Sequence, residues 1–455
     1  MAKKSAVSFV CSDCGWTTGK WVGRCQSCGQ WGTMEEFRPS PASPSRSGPA
    51  PLTPQSTLQP ITEVAPSASE RTTSGVGELD RVLGGGLVPG AVILLAGEPG
   101  VGKSTLLLDV GAKMARSHTP PVLYISAEES ASQVRLRAER IGAMCENLKI
   151  AADADLSSMI AHVEELRPSL LIVDSVQTII DTQVDSAAGS VSQVRAVTSA
   201  LVHLAKSRNL PVLLVGHVTK DGSIAGPRVL EHLVDVVCQF DGDRHSRLRM
   251  VRAVKNRYGP TDEVGCFELV DEGINELPDP SGLFLSDRAR TVPGTCVTIT
   301  LEGRRPMPVE IQSLAVSPAG PPRRTTSGVD SARVAMMVAV LQSRLGIDLD
   351  RKDIFVATVG GARAAEPATD LAAALSLASA SLDLPLAPGV LALGEVSLTG
   401  EIRPVIGLEQ RLSEASRLGF TRALVPAGAN VKKKSGLDVL EVPDLAAATR
   451  AVLPT

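Results

Sequence analysis

The sequence predicts an α/β protein of more than one domain: a mostly parallel sheet with a phosphate loop, flanked by a cysteine-rich module and an α+β region. Three observations carry this reading. Gly97-Glu98-Pro99-Gly100-Val101-Gly102-Lys103-Ser104 reads G-x-x-x-x-G-K-S and lies between an apolar run at 91–96 and a helix-like stretch at 105–115. Short apolar runs at 122–126, 170–174 and 211–217 alternate with helical patterns at 131–141 and 191–208, the rhythm of buried parallel strands with crossover helices. Ahead of them stand two Cys-x-x-Cys pairs, Cys11/Cys14 and Cys25/Cys28.

The totals bound the rest. Hydrophobic residues make up 43% of 455 residues and aromatics only 3%, so the cores rest on Ala, Val, Leu and Ile. The net charge of −3 excludes a global basic field, and any DNA contact must come from local patches. No apolar run reaches the length of a membrane span, and no apolar signal core follows the basic N-terminus. A cytoplasmic protein without membrane contact is expected, with its cysteines reduced.

In the first module each Cys-x-x-Cys pair places two thiolates on one knuckle, and two knuckles close a tetrahedral S₄ shell, as in a zinc ribbon. Zn²⁺ is the expected metal for so small a unit, with iron as the alternative. All three tryptophans, Trp16, Trp21 and Trp31, fall here, and packing around the metal is expected of them, with base stacking by one as the alternative. Residues 39–68, rich in Pro, Ser, Thr and Ala, read as a disordered tether.

The loop at 97–104 lets backbone N–H groups turn onto a polyphosphate. Lys103 would reach the β- and γ-phosphates of ATP, and Ser104, beside Thr105, would hold Mg²⁺. Asp174 ends an apolar strand, the place for a carboxylate that holds Mg²⁺ directly or through water. Glu128 is the candidate general base for the attacking water, with Glu129 ranked second. His217 ends another strand, as a γ-phosphate sensor or as a structural residue. Residues 181–192 and 219–228 read as mobile loops, the second offering Lys220 and Arg228 to phosphates. Lys255 and Arg257, two apart on an extended segment, project to one side, as fingers on a neighbouring subunit's nucleotide or as a charged hairpin end.

Taken together, these motifs resemble the RadA/Sms family of bacterial recombination and repair ATPases. The resemblance rests on the cysteine module, Thr73-Ser74-Gly75-Val76-Gly77-Glu78-Leu79-Asp80, the phosphate loop, Tyr124-Ile125-Ser126-Ala127-Glu128-Glu129-Ser130, and Lys255-Asn256-Arg257-Tyr258-Gly259. The last departs from the family's Lys-Asn-Arg-Phe-Gly only at Tyr258. The resemblance implies a RecA-like P-loop core, a homohexameric ring around single-stranded DNA, and DNA-stimulated ATP hydrolysis. It further implies branch migration of RecA-made intermediates, with RecA and branched DNA as partners. The two loops would face DNA, and Glu128 would stand at the catalytic position.

Beyond residue 281 the chain resembles the proteolytic domain of Lon, whose chemistry needs a Ser nucleophile and a Lys. Ala368 holds the Ser position and Glu409 the Lys position, and no lysine lies near Ser376 or Thr369 in sequence. A scaffold for ring assembly and DNA contact is therefore expected, with Lys432-Lys433-Lys434 as phosphate-contacting patch or solvated surface. The expected organisation is a C4 zinc-finger module (1–38), a disordered linker (39–70), a RecA-like ATPase domain (71–280) and an inactive Lon-protease-like domain (281–455). The rival readings are an ATP-dependent protease and a regulatory ATPase or adaptor.

Overall fold

The structure, a computed structural model, describes residues 8–12, 15–37, 60, 62, 71–117, 120–217, 230–242, 247–285, 292–318, 320–431 and 436–453. Cys14, Lys220, Arg228, Lys432, Lys433, Lys434, the loop at 219–228 and nearly all of the expected linker lie outside them.

The N-terminal module is a three-stranded antiparallel sheet of β1 (Ser8–Cys11), β2 (Thr17–Thr18) and β3 (Met34–Phe37), ordered β2-β1-β3. Its two turns are built alike. Gly15 N–H donates to Cys11 O and Gly29 N–H to Cys25 O, both at 2.9 Å, with the glycines at φ +72° and +75°. A left-handed residue after each pair folds the chain back over its first cysteine.

The central domain is a nine-stranded sheet. Its elements are α1 (Gly77–Leu83), β4 (Val92–Gly97), α2 (Lys103–Ser117), β5 (Val122–Ser126), α3 (Ala131–Arg140), β6 (Leu148–Ala152), α4 (Leu156–Leu166), β7 (Leu170–Asp174), α5 (Val191–Arg208), β8 (Val212–His217), β9 (Val236–Gly242), β10 (Leu248–Asn256), β11 (Val264–Val270) and β12 (Gly273–Glu276). The order is β12-β11-β10-β9-β4-β8-β7-β5-β6. The six strands from β6 to β9 are parallel, and β9 to β12 continue antiparallel. This is the RecA-like core expected, extended by an antiparallel wing in which β10 carries the extended segment of Lys255; β6 and α4 were not anticipated.

Alternation in β4 splits the core. Ile93 and Leu95 face α2 with Leu106, Leu107 and Val110, while Val92, Leu94 and Ala96 face α5 with Val194, Val197 and Leu201. Such a two-faced strand is apolar throughout. Helix starts are fixed by side chains: Ser130 and Gln133 form a reciprocal capping box, and Asp155 and Ser190 cap α4 and α5. The loop before α5, expected to be mobile, is tied around the buried Gln193 side chain. That amide donates to the carbonyls of Asp181, Val184 and Ser186 at 3.0, 2.9 and 3.1 Å.

After α6 (Ser281–Phe284), the C-terminal domain carries β13 (Thr295–Glu302) and β14 (Arg305–Val316) as an antiparallel hairpin. They belong to a seven-stranded mixed sheet packed against α7 (Ser331–Leu345) and α8 (Asp370–Leu382). The hairpin tip docks on the ATPase domain. Arg305 pairs with Glu78 of α1, both fully buried, and donates to the carbonyls of Val264 and Pro278 at 3.0 and 2.6 Å. Glu78 also accepts from Cys266 N–H at 2.8 Å. No described helix is long and apolar enough to cross a membrane.

Candidate nucleotide site and metal centre

Gly97 through Thr105 form the strand–loop–helix turn that their spacing predicts, with Gly100 and Gly102 at φ +80° and +113°. A Cβ on Gly97 would meet Phe240 O at 2.4 Å, so only glycine passes there. The turn's outer side is held by Arg249, whose Nε donates to Val101 O at 3.2 Å. Lys103, 3% exposed, donates Nζ to Gly97 O at 2.8 Å and Glu98 O at 2.9 Å. Burial pushes this ammonium down to about 8, against the pull of the Asp174 and Glu128 carboxylates.

The neighbouring strands deliver the other groups to the same edge. Gly97 pairs with His217 across β4 and β8, and Ser126 with Asp174 across β5 and β7. Asp174 Oδ2 accepts from the buried Tyr124 hydroxyl at 2.6 Å. Burial and the Asp174 charge raise the Tyr124 phenol well above its ordinary value, so it stays a donor. Glu128 follows β5, and its Oε1 lies 3.3 Å from His217 Nε2 and accepts from Ser175 Oγ. The His217 contact holds the Glu128 carboxyl below its usual range against partial burial, helped by Ser175 and Lys103. Glu129 instead pairs with Arg137 on α3, which leaves Glu128 facing the site. Gln177, buried beside His217, donates Nε2 to His217 O at 3.4 Å. Tyr124 stood in a motif without a role, and no local pattern singled out Ser175, Gln177 or Arg249.

Lys255 and Arg257 do not join this constellation. Asn256 pairs with Val236, and Ile93 pairs with Val236 as well, which puts the Lys-Asn-Arg-Tyr-Gly segment at the amino edge of the parallel sheet. From Ile93 to Gly97 the strand advances about 13 Å. Lys255 Nζ donates to the carbonyls of Glu231 and Val234, and Arg257 Nη1 lies 3.2 Å from Asp235 Oδ1. Asp235 ties the edge together, accepting from Val92 N–H at 3.0 Å and Lys206 Nζ at 2.7 Å. The Tyr258 hydroxyl lies 3.0 Å from the same Lys206 Nζ, a contact that phenylalanine lacks, and Asn256 Oδ1 accepts Tyr258 N–H at 2.9 Å. Gly259 packs on Gly84, with 3.5 Å from its ideal Cβ position to the Gly84 Cα.

In the N-terminal module the Sγ atoms of Cys11, Cys25 and Cys28 lie within 4.8 Å of one another, Cys11 and Cys28 at 3.7 Å. A tetrahedral shell with Zn–S bonds of about 2.3 Å has edges of about 3.8 Å, so these three thiolates fit a zinc site. Cys14, the fourth candidate, lies outside the described residues. Only Trp16 packs beside these cysteines. Trp21 and Trp31 are exposed, contrary to the expectation that all three pack around the metal.

In the C-terminal domain the Lon-like positions hold no nucleophile and no lysine. Ala368 is buried and Glu409 exposed. Around Ala368, Arg411 grips Glu366 at 2.6 and 2.8 Å, and Arg333 grips Asp370 in the same bidentate manner. Ser376 is buried against Ser313 at 2.7 Å, and Thr369 Oγ1 donates to Glu366 O at 2.8 Å.

Comparison with known proteins finds three family matches along the chain. The AAA domain family matches residues 76–223, the rubredoxin metal binding domain matches 9–36, and the family described as subunit ChlI of Mg-chelatase matches 328–429. DNA repair protein RadA of Mycolicibacterium smegmatis is 52% identical over 98% of this chain and 96% of its own. RadA of Bacillus subtilis is 44% identical over 99% of both chains, and RadA of Listeria monocytogenes is 43% identical over the full length of both. With likeness of this depth along the whole chain, the protein belongs to the DNA repair protein RadA family.

Proposed function

We propose that the chain is a DNA-dependent ATPase of DNA repair that promotes branch migration of RecA-mediated strand exchange, moving on single-stranded DNA as a homohexameric ring. The observation that carries the ATPase reading is the gathering of Lys103, Glu128, Asp174 and His217 at one sheet edge above the 97–104 loop. The DNA part rests on the repair proteins to which the chain is kin.

The loop amides and Lys103 would bind the phosphates of ATP, Lys103 exchanging two carbonyls for a polyanion. Ser104 and Asp174 would hold Mg²⁺, which supplies charge neutralisation when bound. Tyr124 orients the Asp174 carboxylate from behind. Glu128, kept ionised by His217 and Ser175, accepts the proton of the attacking water and aims it in line with the γ-phosphate. His217, touching Glu128, reports whether the γ-phosphate is present. The next residues, 218–229, include Lys220 and Arg228, proposed DNA contacts along with Lys432, Lys433 and Lys434. Lys255 and Arg257 stand too far from the chain's own loop to assist it, which supports their reading as fingers on a neighbour's nucleotide. The paired arginines around Ala368 speak against a protease.

ATP hydrolysis measured with and without single-stranded DNA tests the reading. Stimulation that vanishes in Lys103→Ala is expected. Glu128→Gln should retain ATP binding and lose turnover by about 10²–10⁴-fold. Robust hydrolysis indifferent to DNA would remove the motor and favour a regulatory ATPase.

A further inference from the structure

The N-terminal module presents two indole rings to solvent, and no part of the nucleotide site uses them. Trp21 is 65% and Trp31 74% exposed, and they are the only exposed large hydrophobic residues among the described residues of this module. They converge on Gly23. A Cβ built there would sit 3.7 Å from Trp21 Cη2 and 3.7 Å from a Trp31 ring carbon, so the rings flank a floor that carries no side chain. The backbone fixes this arrangement: Arg24 bridges to Trp31 in antiparallel fashion, and Gly32 N–H donates to Gly23 O at 3.0 Å. Arg24 adds a cation. Its guanidinium lies 5.9 Å from the Trp31 ring centroid and is anchored by Nε donating to Gly29 O at 2.7 Å.

Two exposed π-faces beside a fixed guanidinium suit flat aromatic rings linked by phosphates, and Lys20, Gln26 and Gln30 are exposed on the same module. Among the described residues of the module no large aliphatic side chain is exposed, so the surface these rings offer is aromatic alone. We propose that Trp21 and Trp31 form a stacking platform for bases of single-stranded DNA, with Arg24 facing the backbone phosphates. The zinc module then grips the strand directly, by π-stacking that any base satisfies. This inference rests on the DNA reading above but makes a separate claim about where bases sit.

The chain supplies its own reporter, because its 3 tryptophans, Trp16, Trp21 and Trp31, all lie in this module. Titrate the full chain with fluorescein-labelled oligo(dT), following label anisotropy and, with unlabelled oligo(dT), tryptophan emission. The expected result is saturable quenching that tracks the anisotropy, reduced in Trp21→Phe and in Trp31→Phe. A Trp21→Ala/Trp31→Ala variant with undiminished zinc content should bind oligo(dT) at least about fivefold more weakly, since each stacked base contributes on that scale. Binding by anisotropy with unchanged emission would overturn the platform and leave the DNA reading standing. Absence of binding in both signals would overturn both.

Discussion

Lys103 is a buried ammonium held by two carbonyls, and that determines how the site answers to pH. Its value of about 8 in the nucleotide-free chain means that it is mostly protonated at neutral pH and loses the proton as pH rises past 8. Phosphate binding needs the charged form. ATP affinity should therefore be flat below pH 7 and fall above pH 8, approaching about tenfold per unit, with proton uptake on binding. Calorimetry in buffers of different ionisation enthalpy reads both. Tyr124 is the second residue with a definite consequence. Its hydroxyl occupies one oxygen of Asp174 without adding charge, so Tyr124→Phe leaves that carboxylate less fixed. The variant should need several-fold more Mg²⁺ to reach half-maximal ATP binding, measured with a fluorescent nucleotide, while its metal-free nucleotide affinity stays unchanged.

At the scale of elements, the β13–β14 hairpin tip joins the two large domains. Arg305 fills a pocket whose floor is Glu78 of α1, and both are out of solvent. Without Arg305, Glu78 keeps as cationic partner only the half-exposed Arg81 at 3.3 Å, so the loss should fall below the about 3–5 kcal/mol of a fully stranded buried charge. Arg305→Met should lower the denaturation midpoint accordingly, and Glu78→Gln in the same chain should restore part of it. This pair also shows what a sequence conceals. The residues lie 227 positions apart, and nothing near either announces the other. The 97–104 loop was legible because its chemistry is contiguous. Asp174 and Glu128 were readable as carboxylates at strand ends, because parallel strands open their carboxyl ends on ligands. The choice of Glu128 over Glu129 found its support in Arg137, a contact set by the first turns of α3. β9, β11 and β12 went unread because their short, mixed stretches show no clean alternation, and β11 closes only against its neighbours. Tryptophan count predicted a buried cluster, yet strand geometry turned two rings outward.

At the scale of the whole molecule, the proposed site is divided between copies. The groups proposed to activate water lie at the carboxyl edge of the sheet and the Lys255–Arg257 segment at its amino edge. In the proposed composite site, Lys103→Ala would remove one half and Arg257→Ala the other. Each variant alone should be nearly inactive in DNA-stimulated hydrolysis. Mixed in equal amounts, they should regain a measurable fraction of activity, because an Arg257→Ala subunit with an intact loop can receive the arginine of a Lys103→Ala neighbour. Failure of the mixture under conditions where subunits exchange would show that the cations act within one chain or only in its architecture.

The two-edged arrangement has a kinetic consequence. A chain that borrows part of its reactive centre obeys mass action in its own concentration. Turnover per chain should rise steeply across the range in which copies assemble and then level off, and dilution should silence it while each lone chain still binds ATP. The enzyme would thus remain idle when scattered and switch on where copies accumulate.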